Sequence, residues 1–328
     1  MKFLIAGLGS IGRRHLQNLE ALGERDITLY RTGKSTLRDL DNDYPVYDDI
    51  HTAIKEQPDA IVISNPTALH IPVAIIAARS DIDIFIEKPL SHAFDNLQAF
   101  EVTLQNSASK VFVAYQFRFN AGLKKIKLIL DQKELGNPVS FQSIWGEYLP
   151  DWHPWEDYRN SYAARKDMGG GVVLTLSHPI DYLRWFFGDV AELKAEVGKR
   201  SDLDLDCEDY AEADMTFQSG VKGKLHLDYG SKPKVHHLSI QCEQGKIEWD
   251  YSTSIVEINS LDGAVRSIHP PADYARNQMY IDEMAHFITL CQDDIEPICS
   301  YQDGKKALDI GLGILQSGRY QDRVIFEE

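Results

Sequence analysis

The stretch Lys2-Phe3-Leu4-Ile5-Ala6-Gly7-Leu8-Gly9-Ser10-Ile11-Gly12 decides how the rest of the chain is read. A short apolar run enters three glycines, and beyond them the apolar period changes. Ile11, His15, Leu19 and Leu22 recur along one helix face, and Gly23 ends the pattern. A strand, a G-x-G-x-x-G turn and a helix in that order form a dinucleotide-binding fingerprint. Gly7 permits the tight turn. Gly9 lets a pyrophosphate approach the backbone, and Gly12 lets the helix sit close to the strand. The amides around Ser10 and Ile11 then face the anion at the helix N-terminus.

Outward from this turn, apolar runs alternate with helical patterns. Strands are expected at 2–6, 26–31, 60–64, 83–87 and 110–117. Helices are expected at 49–57, 68–80 and 91–106, the last capped by Ser91. Several of the runs are nearly all apolar, as in parallel strands covered on both faces. The alternation predicts a doubly wound parallel sheet, a Rossmann-type α/β domain over 1–118. Beyond a helix at 121–132 the character changes. Strands are expected at 139–147, 191–197, 210–217, 221–229, 235–242, 246–251 and 255–260, with Gly220, Gly245 and Gly263 at hairpin spacing. Helices at 278–290 and 304–316 follow. The second domain, 119–328, is therefore expected to be α+β with a mainly antiparallel sheet.

Composition narrows the function. Hydrophobic residues are 43 % and charged residues 26 %, which fits a globular protein. Lys and Arg number 34 against 50 Asp and Glu, a net charge of −16. Nucleic acid and anionic membranes need a positive footprint, so neither is an expected partner. Cys207, Cys242, Cys291 and Cys299 fit no zinc spacing, and no metal is expected. No apolar run is long enough for a membrane span, and the first residues lead into glycines, Arg13 and Arg14 rather than a signal peptide. A cytoplasmic protein is expected.

Cofactor choice falls at the end of the second strand. A site for NAD usually places Asp or Glu there. This chain has Tyr30-Arg31-Thr32-Gly33-Lys34-Ser35 instead. Arg31, Thr32 and Lys34 suit a 2′-phosphate, which favours NADP and leaves NAD possible. At the end of the fifth strand stands Glu87-Lys88-Pro89. Ligands of open α/β sheets bind outside the carboxyl ends of the strands, so Lys88 is placed to touch substrate. Its ammonium can polarise an oxygen or relay a proton.

The ordered set Gly7–Gly12, Ser64-Asn65-Pro66-Thr67-Ala68-Leu69-His70, Glu87-Lys88-Pro89, Gln116-Phe117-Arg118-Phe119-Asn120, Gly169-Gly170-Gly171 and His178-Pro179-Ile180-Asp181 resembles the glucose–fructose oxidoreductase / inositol dehydrogenase family, Gfo/Idh/MocA. The resemblance implies a Rossmann domain and a C-terminal domain with an open antiparallel sheet, commonly an oligomer interface. It implies nicotinamide-dependent oxidation or reduction at a hydroxyl carbon of a sugar, cyclitol or sugar nucleotide. Ser64, Asn65, Pro66, His70, Glu87, Lys88 and Gln116 would line the cofactor. Lys88 would be the active-site lysine and His178 the catalytic histidine. Arg118 would lie near substrate. Many members carry Asp where this chain has Thr175, with the histidine four residues on; here His178 follows by three. Thr175 cannot serve as a base at neutral pH, which leaves Asp181, Asp157 or the substrate to tune Lys88.

His178 and Asp181 are spaced for one helix face, so Asp181 could orient the imidazole. Alternatively Pro179 starts a helix over 179–187, capped by Ser177 or His178. The helix dipole would then keep the imidazole neutral, as a base requires. The aromatic-rich stretch 152–160 offers Trp155 and Tyr158 for stacking on a sugar and Arg159 for a carboxylate or phosphate. Thr175 and Asp181 join these as candidate substrate contacts; Tyr162, Arg165 and Lys166 extend the set. Taken together, the sequence reads as an NADP(H)-preferring oxidoreductase of sugar-like alcohols, a homodimer or homotetramer through its second sheet. A redox-neutral sugar enzyme and a non-catalytic cofactor-binding regulator are the alternatives.

Overall fold

The computed structural model describes residues 1–33 and 44–326. The chain divides into two compact units. One is Met1–Gln116 with Asp167–Gly169 and Arg276–Lys305; the other is Phe117–Lys166 with Gly170–Ala275 and Lys306–Glu328. A single cut near 118 does not include the return of 276–305 to the first unit.

The first unit holds six strands: β1 (Lys2–Ala6), β2 (Asp26–Tyr30), β3 (Val46–Tyr47), β4 (Ala60–Ile63), β5 (Asp83–Glu87) and β6 (Val111–Ala114). Their order is β3-β2-β1-β4-β5-β6, and every pairing is parallel. This is the doubly wound order, with its switch point between β1 and β4. β4 is buried at all four positions, which is why it reads as an unbroken apolar run. Helices α1 (Ser10–Ala21), α2 (Ile50–Ile54), α3 (His70–Ala78) and α4 (Leu97–Leu104) connect these strands. Phe287 explains the return of the chain. Its ring lies 5.4 Å from Phe85 on β5 and 6.3 Å from Phe112 on β6.

Three expectations need correction here. The sixth strand stops at Ala114, because Gln116–Phe119 turns as a 3₁₀ helix into a cap at Asn120. Asn120 accepts from the amides of Gly122 and Leu123. The helix expected from 91 starts only at Leu97, because Asn96 sits at φ 63° and interrupts it. Ser91 therefore does not cap it. The two-residue strand β3 is too short to show any period in the sequence.

The second unit begins with α5 (Ala121–Asp131), and its strands are β7 (Pro138–Gly146), β8 (Val190–Gly198), β9 (Tyr210–Phe217), β10 (Lys222–Asp228), β11 (Val235–Cys242), β12 (Gly245–Asp250), β13 (Ile255–Ser260), β14 (Val265–Ile268) and β15 (Val324–Ile325). They form one sheet in the order β14-β13-β12-β11-β7-β10-β9-β8-β15. All pairings are antiparallel except β7 with β10, at the centre. Burial alternates along β11: His236, Leu238, Ile240 and Cys242 are buried, and the residues between them less so. One face is therefore covered and the other open. Helices α6 (Val172–Thr175) and α7 (His178–Phe187) belong to this unit. Helix α8 (Gln278–Gln292) lies in the first, and α9 (Tyr301–Tyr320) runs on from it. Among the described residues no helix is long and apolar enough to cross a membrane.

Candidate active site

In the first unit the site is mostly backbone. Gly7 has φ +98°, and its amide donates to Tyr30 O at 3.1 Å. A Cβ on Gly12 would lie 2.1 Å from Gly7 O, so only glycine lets α1 start this close to β1. A Cβ on Gly9 would meet nothing within 4 Å. The turn is therefore open at Gly9. Helix α1 has no side-chain cap and no acidic residue in its first turn. Its first amides thus remain for an anion, and the residues present fit a dinucleotide. Ser64 has a bracing part, its hydroxyl donating to Gly7 O at 2.8 Å.

Lys88 directly follows β5, and its neighbour is tightly held. Glu87 Oε1 lies 2.7 Å from His15 Nε2, with His15 fully buried on α1. Glu87 Oε2 accepts the Lys88 amide at 3.2 Å. One carboxylate thus joins α1 to the lysine turn. His70 bridges the next loop, with ring nitrogens 3.0 Å from Pro89 O and 3.0 Å from Asn65 O. Burial holds its pKa below the ordinary value, so the ring is neutral and donates to one carbonyl at a time. Gln116 donates to Tyr280 OH at 3.0 Å. The Arg31 amide donates to Tyr47 O at 2.9 Å, and Thr32 is exposed. Lys34 lies outside the described residues.

In the second unit the site is made of side chains. Helix α7 begins at His178, with Ser177 before it and Pro179 in its first turn. Proline is tolerated there because its missing amide would have no helical partner. The His178 ring is 4.5 Å from Phe117 and 5.5 Å from Trp145, nearly parallel to the latter at 19°. Asp181, one turn along, accepts from Arg118: Nε to Oδ2 is 3.0 Å and Nη2 to Oδ1 is 2.7 Å. Both side chains are almost wholly buried. The structure thus brings Arg118 and Asp181 together as an ion pair beside His178. Thr175 is buried on α6.

The stretch 152–160 is more open. Trp155 is 60 % exposed. Tyr158 OH accepts the Asp204 amide at 3.0 Å. Arg159 makes a two-pronged bond to Asp157, which holds that carboxyl below its usual range. Asp157 is thus engaged locally by Arg159.

Two residues escaped the sequence reading. His236 stacks on Trp145 at 4.2 Å and 7°, and lies 5.2 Å from Phe117, so two histidines share these rings. Strand alternation was the available signal: His236 has the parity of Leu238 and Ile240, His237 the opposite. Glu208 is the other. Its Oε1 accepts the Val173 amide at 3.2 Å and fills the space beside Gly171. Burial pushes its carboxyl up to about 7.

Comparison with known proteins agrees with this geometry. Residues 1–115 match the family described as "Oxidoreductase family, NAD-binding Rossmann fold". Residues 123–248 match the "GFO/IDH/MocA C-terminal domain". The chain is 25 % identical to a myo-inositol 2-dehydrogenase of Thermotoga maritima, over 100 % of this chain and 99 % of the relative. A levoglucosan dehydrogenase solved with NADH and levoglucosan has the same fold, with TM-score 0.86 at 16 % identity and full coverage of both chains. So has the WlbA dehydrogenase of Bordetella pertussis, solved with NADH and UDP-GlcNAcA. Its TM-score is 0.83 at 19 % identity, covering 100 % of this chain and 99 % of that one. The chain belongs to the GFO/IDH/MocA family of NAD(P)-dependent oxidoreductases, with the family's Rossmann domain first and its characteristic C-terminal domain second.

Proposed function

We propose that the protein transfers hydride at a secondary alcohol or ketone of a sugar, cyclitol or sugar-nucleotide derivative, with NADP(H) preferred over NAD(H). The observation that carries this reading is the placement of two features on one sheet edge. The glycine turn follows β1 and Lys88 follows β5; both strands are parallel and separated only by β4. A nucleotide held at the first would bring its reactive ring toward the second. The relatives named above span a cyclitol, an anhydrosugar and a sugar nucleotide, which supports that substrate class.

When bound, the nicotinamide accepts or supplies the hydride. The chain's own residues handle the proton and the charge. His178 takes the hydroxyl proton, or returns it in the reverse direction. Its place in the first turn of α7 disfavours the imidazolium and keeps it a base. Lys88 donates a hydrogen bond to the reacting oxygen and stabilises charge developing there. Gly9 and the first amides of α1 hold the pyrophosphate. Asn65, Pro66 and His70 shape the wall beside it. Arg31 and Thr32 sit at the end of β2, where a 2′-phosphate would lie, and no acid stands between Tyr30 and Gly33. Trp155, Tyr158 and Arg159 supply substrate contacts from the open stretch.

A second copy of the chain on the open face of the second sheet belongs to the same reading, and sedimentation tests it. The four cysteines are free thiols, which suits a reducing compartment, so we place the protein in the cytoplasm.

Titration of NADPH and NADH, followed by nicotinamide fluorescence, tests the cofactor reading. NADPH binds more tightly, and Arg31→Ala removes the preference. Equal binding, or tighter NADH, overturns it. Lys88→Ala and His178→Ala each lower turnover by ~10²–10⁴ while NADPH binding persists. Near wild-type turnover in both would refute the acid–base assignment.

A further inference from the structure

Behind the Lys88 turn lies a buried pair of side chains that the proposed chemistry does not use. Helix α1 buries Gly12, His15, Leu16, Asn18 and Leu19. His15 is the titratable group among them, and it has no exposed surface. Its Nε2 lies 2.7 Å from Glu87 Oε1, at the end of β5. Among the described residues this is the ring's one hydrogen bond, because Nδ1 has no partner there. The ring also packs edge-on against Phe85, with centroids 4.9 Å apart at 70°. Phe85 and Glu87 are two apart on β5 and share one face of it.

Packing alone does not call for this pair, because two buried polar partners gain little over apolar residues of the same shape. What explains it is the other oxygen of Glu87, which accepts the Lys88 amide at 3.2 Å. The ladder of β5 with β4 ends at Ile86, opposite Ile63, and the ladder with β6 ends at Glu87, opposite Ala114. The Lys88 amide therefore stands beyond the last ladder pair, and the Glu87 side chain gives it an acceptor. A glutamate side chain has several rotamers, and His15 selects the one that turns back onto the next amide. The platform is itself braced. Arg14, next to His15 on α1, lies 4.4 Å over the Tyr280 ring, and Tyr280 OH accepts from Gln116 at 3.0 Å. On the far side of the turn, His70 Nδ1 lies 3.0 Å from Pro89 O.

We propose that His15 is a positioning residue for Lys88: it locks the Glu87 carboxylate against the Lys88 amide and so fixes the direction in which the lysine leaves β5. The proposal deepens the functional reading above and rests on it for the part Lys88 plays. With no exposed surface, His15 can touch neither cofactor nor substrate, so its effect reaches the reaction only through Lys88. An ammonium that donates to a reacting oxygen must be well placed, and a misplacement of about 1 Å can cost about 10²-fold in rate. Loss of His15 therefore shows in kcat and spares KM and cofactor binding.

Variants of His15 test this. His15→Phe keeps a ring against Phe85 and removes the donor; His15→Gln keeps an N–H that can reach Glu87. Amide hydrogen exchange at single-residue resolution reads the turn without any substrate. In His15→Phe the Lys88 amide exchanges about tenfold faster or more, while Ile84, Phe85 and Ile86 keep their protection. In His15→Gln the Lys88 amide stays within about threefold of wild type. Turnover is read with myo-inositol and levoglucosan as probes, each with NADP. His15→Phe lowers kcat about tenfold or more and changes KM and NADPH affinity less than about twofold, and His15→Gln restores most of the loss. In the Lys88→Ala background His15→Phe has no further effect, because the residue it positions is gone. His15→Leu, which matches its neighbours on the helix and cannot donate, repeats the effect should the phenylalanine disturb the fold. Unchanged exchange at Lys88 in the donor-less variants overturns the proposal. So does faster exchange along the whole of β5, or an equal fall in kcat with and without Lys88, since either shows a packing role only. Failure of the functional reading is separate: exchange at Lys88 then follows His15 as described, but neither polyol gives a nicotinamide absorbance change in the wild type.

Discussion

The two units build their candidate residues from different materials. In the first, the candidate groups are backbone atoms and strand ends: the Gly7–Gly12 turn, the amides of α1, and Lys88 directly after β5. In the second, they are side chains gathered from separate elements. Phe117 comes from a 3₁₀ turn, Trp145 from β7, His178 from α7 and His236 from β11. A backbone site needs particular residues at fixed short spacing, and such spacing is visible in a sequence. A side-chain site needs only that distant elements pair, and many sequences satisfy that. The second depends on buried polar partners that must be kept together.

The sharpest way to break this comparison is to remove one partner of the Arg118–Asp181 pair. Both side chains are almost wholly buried and doubly hydrogen-bonded. Asp181→Asn leaves a buried guanidinium without its counter-charge, at a cost of about 3–5 kcal/mol. Urea unfolding followed by tryptophan fluorescence checks this. Replacing both residues with apolar ones of similar size should recover most of the loss, because the pair's own net contribution is small. A cost below about 1 kcal/mol for Asp181→Asn would show that buried charge does not hold the second site.

Glu208 sharpens the same point through pH. Its folded-state pKa is raised by burial from 4.5 to about 7. Asp209 beside it raises it further, and Lys166 opposes. A raised carboxyl means the folded state keeps a proton that the unfolded chain has lost. Its contribution is therefore fully present below about 4.5 and is lost as pH rises through about 7. The shift corresponds to about 3 kcal/mol. Glu208→Gln removes the titration, and its amide oxygen can still accept from Val173. The variant should thus lose less stability than the wild type between pH 5 and pH 8. Equal losses would mean that the carboxyl is not held protonated beside the Gly171 turn.

The legibility of the sequence follows the same division. Runs 2–6 and 83–87 were readable as strands because both faces are covered and their interiors, Phe3 to Ala6 and Ile84 to Ile86, are unbroken apolar stretches. Strands 210–217 and 235–242 were readable by alternation, because one face is open. The central parallel pairing of β7 with β10 was not readable, since alternation carries no strand direction. Nor was the late start of α4, where one left-handed Asn96 overrides a favourable helical pattern. In the site, the glycines and Lys88 stood out as motifs. The His15–Glu87 contact did not, because His15 reads as one more position on the buried face of α1.

Gly9→Ala tests the backbone character of the first half. The new methyl meets no protein atom within 4 Å, so stability should stay within about 0.5 kcal/mol of wild type. It would stand at the proposed pyrophosphate site, and NADPH affinity should fall about tenfold or more, roughly 1.4 kcal/mol. Thermal unfolding and the fluorescence titration separate the two effects. A loss of stability with unchanged affinity would show that the turn is open for a reason other than the ligand.

The smallest expected effect is at Ser64, where bracing and binding roles are easiest to confuse. Its hydroxyl donates to Gly7 O at 2.8 Å, and its oxygen lies 2.7 Å from where a Gly12 Cβ would stand. The hydroxyl thus occupies the gap that the glycine leaves and ties β4 to the turn. Ser64→Ala removes one buried hydrogen bond and should cost about 1 kcal/mol in unfolding free energy. The donor is already used on protein, so NADPH affinity should change less than about threefold. If affinity falls tenfold while stability holds, Ser64 gives its proton to the cofactor instead. The first half would then depend on a side chain after all, and its contrast with the second would be one of degree.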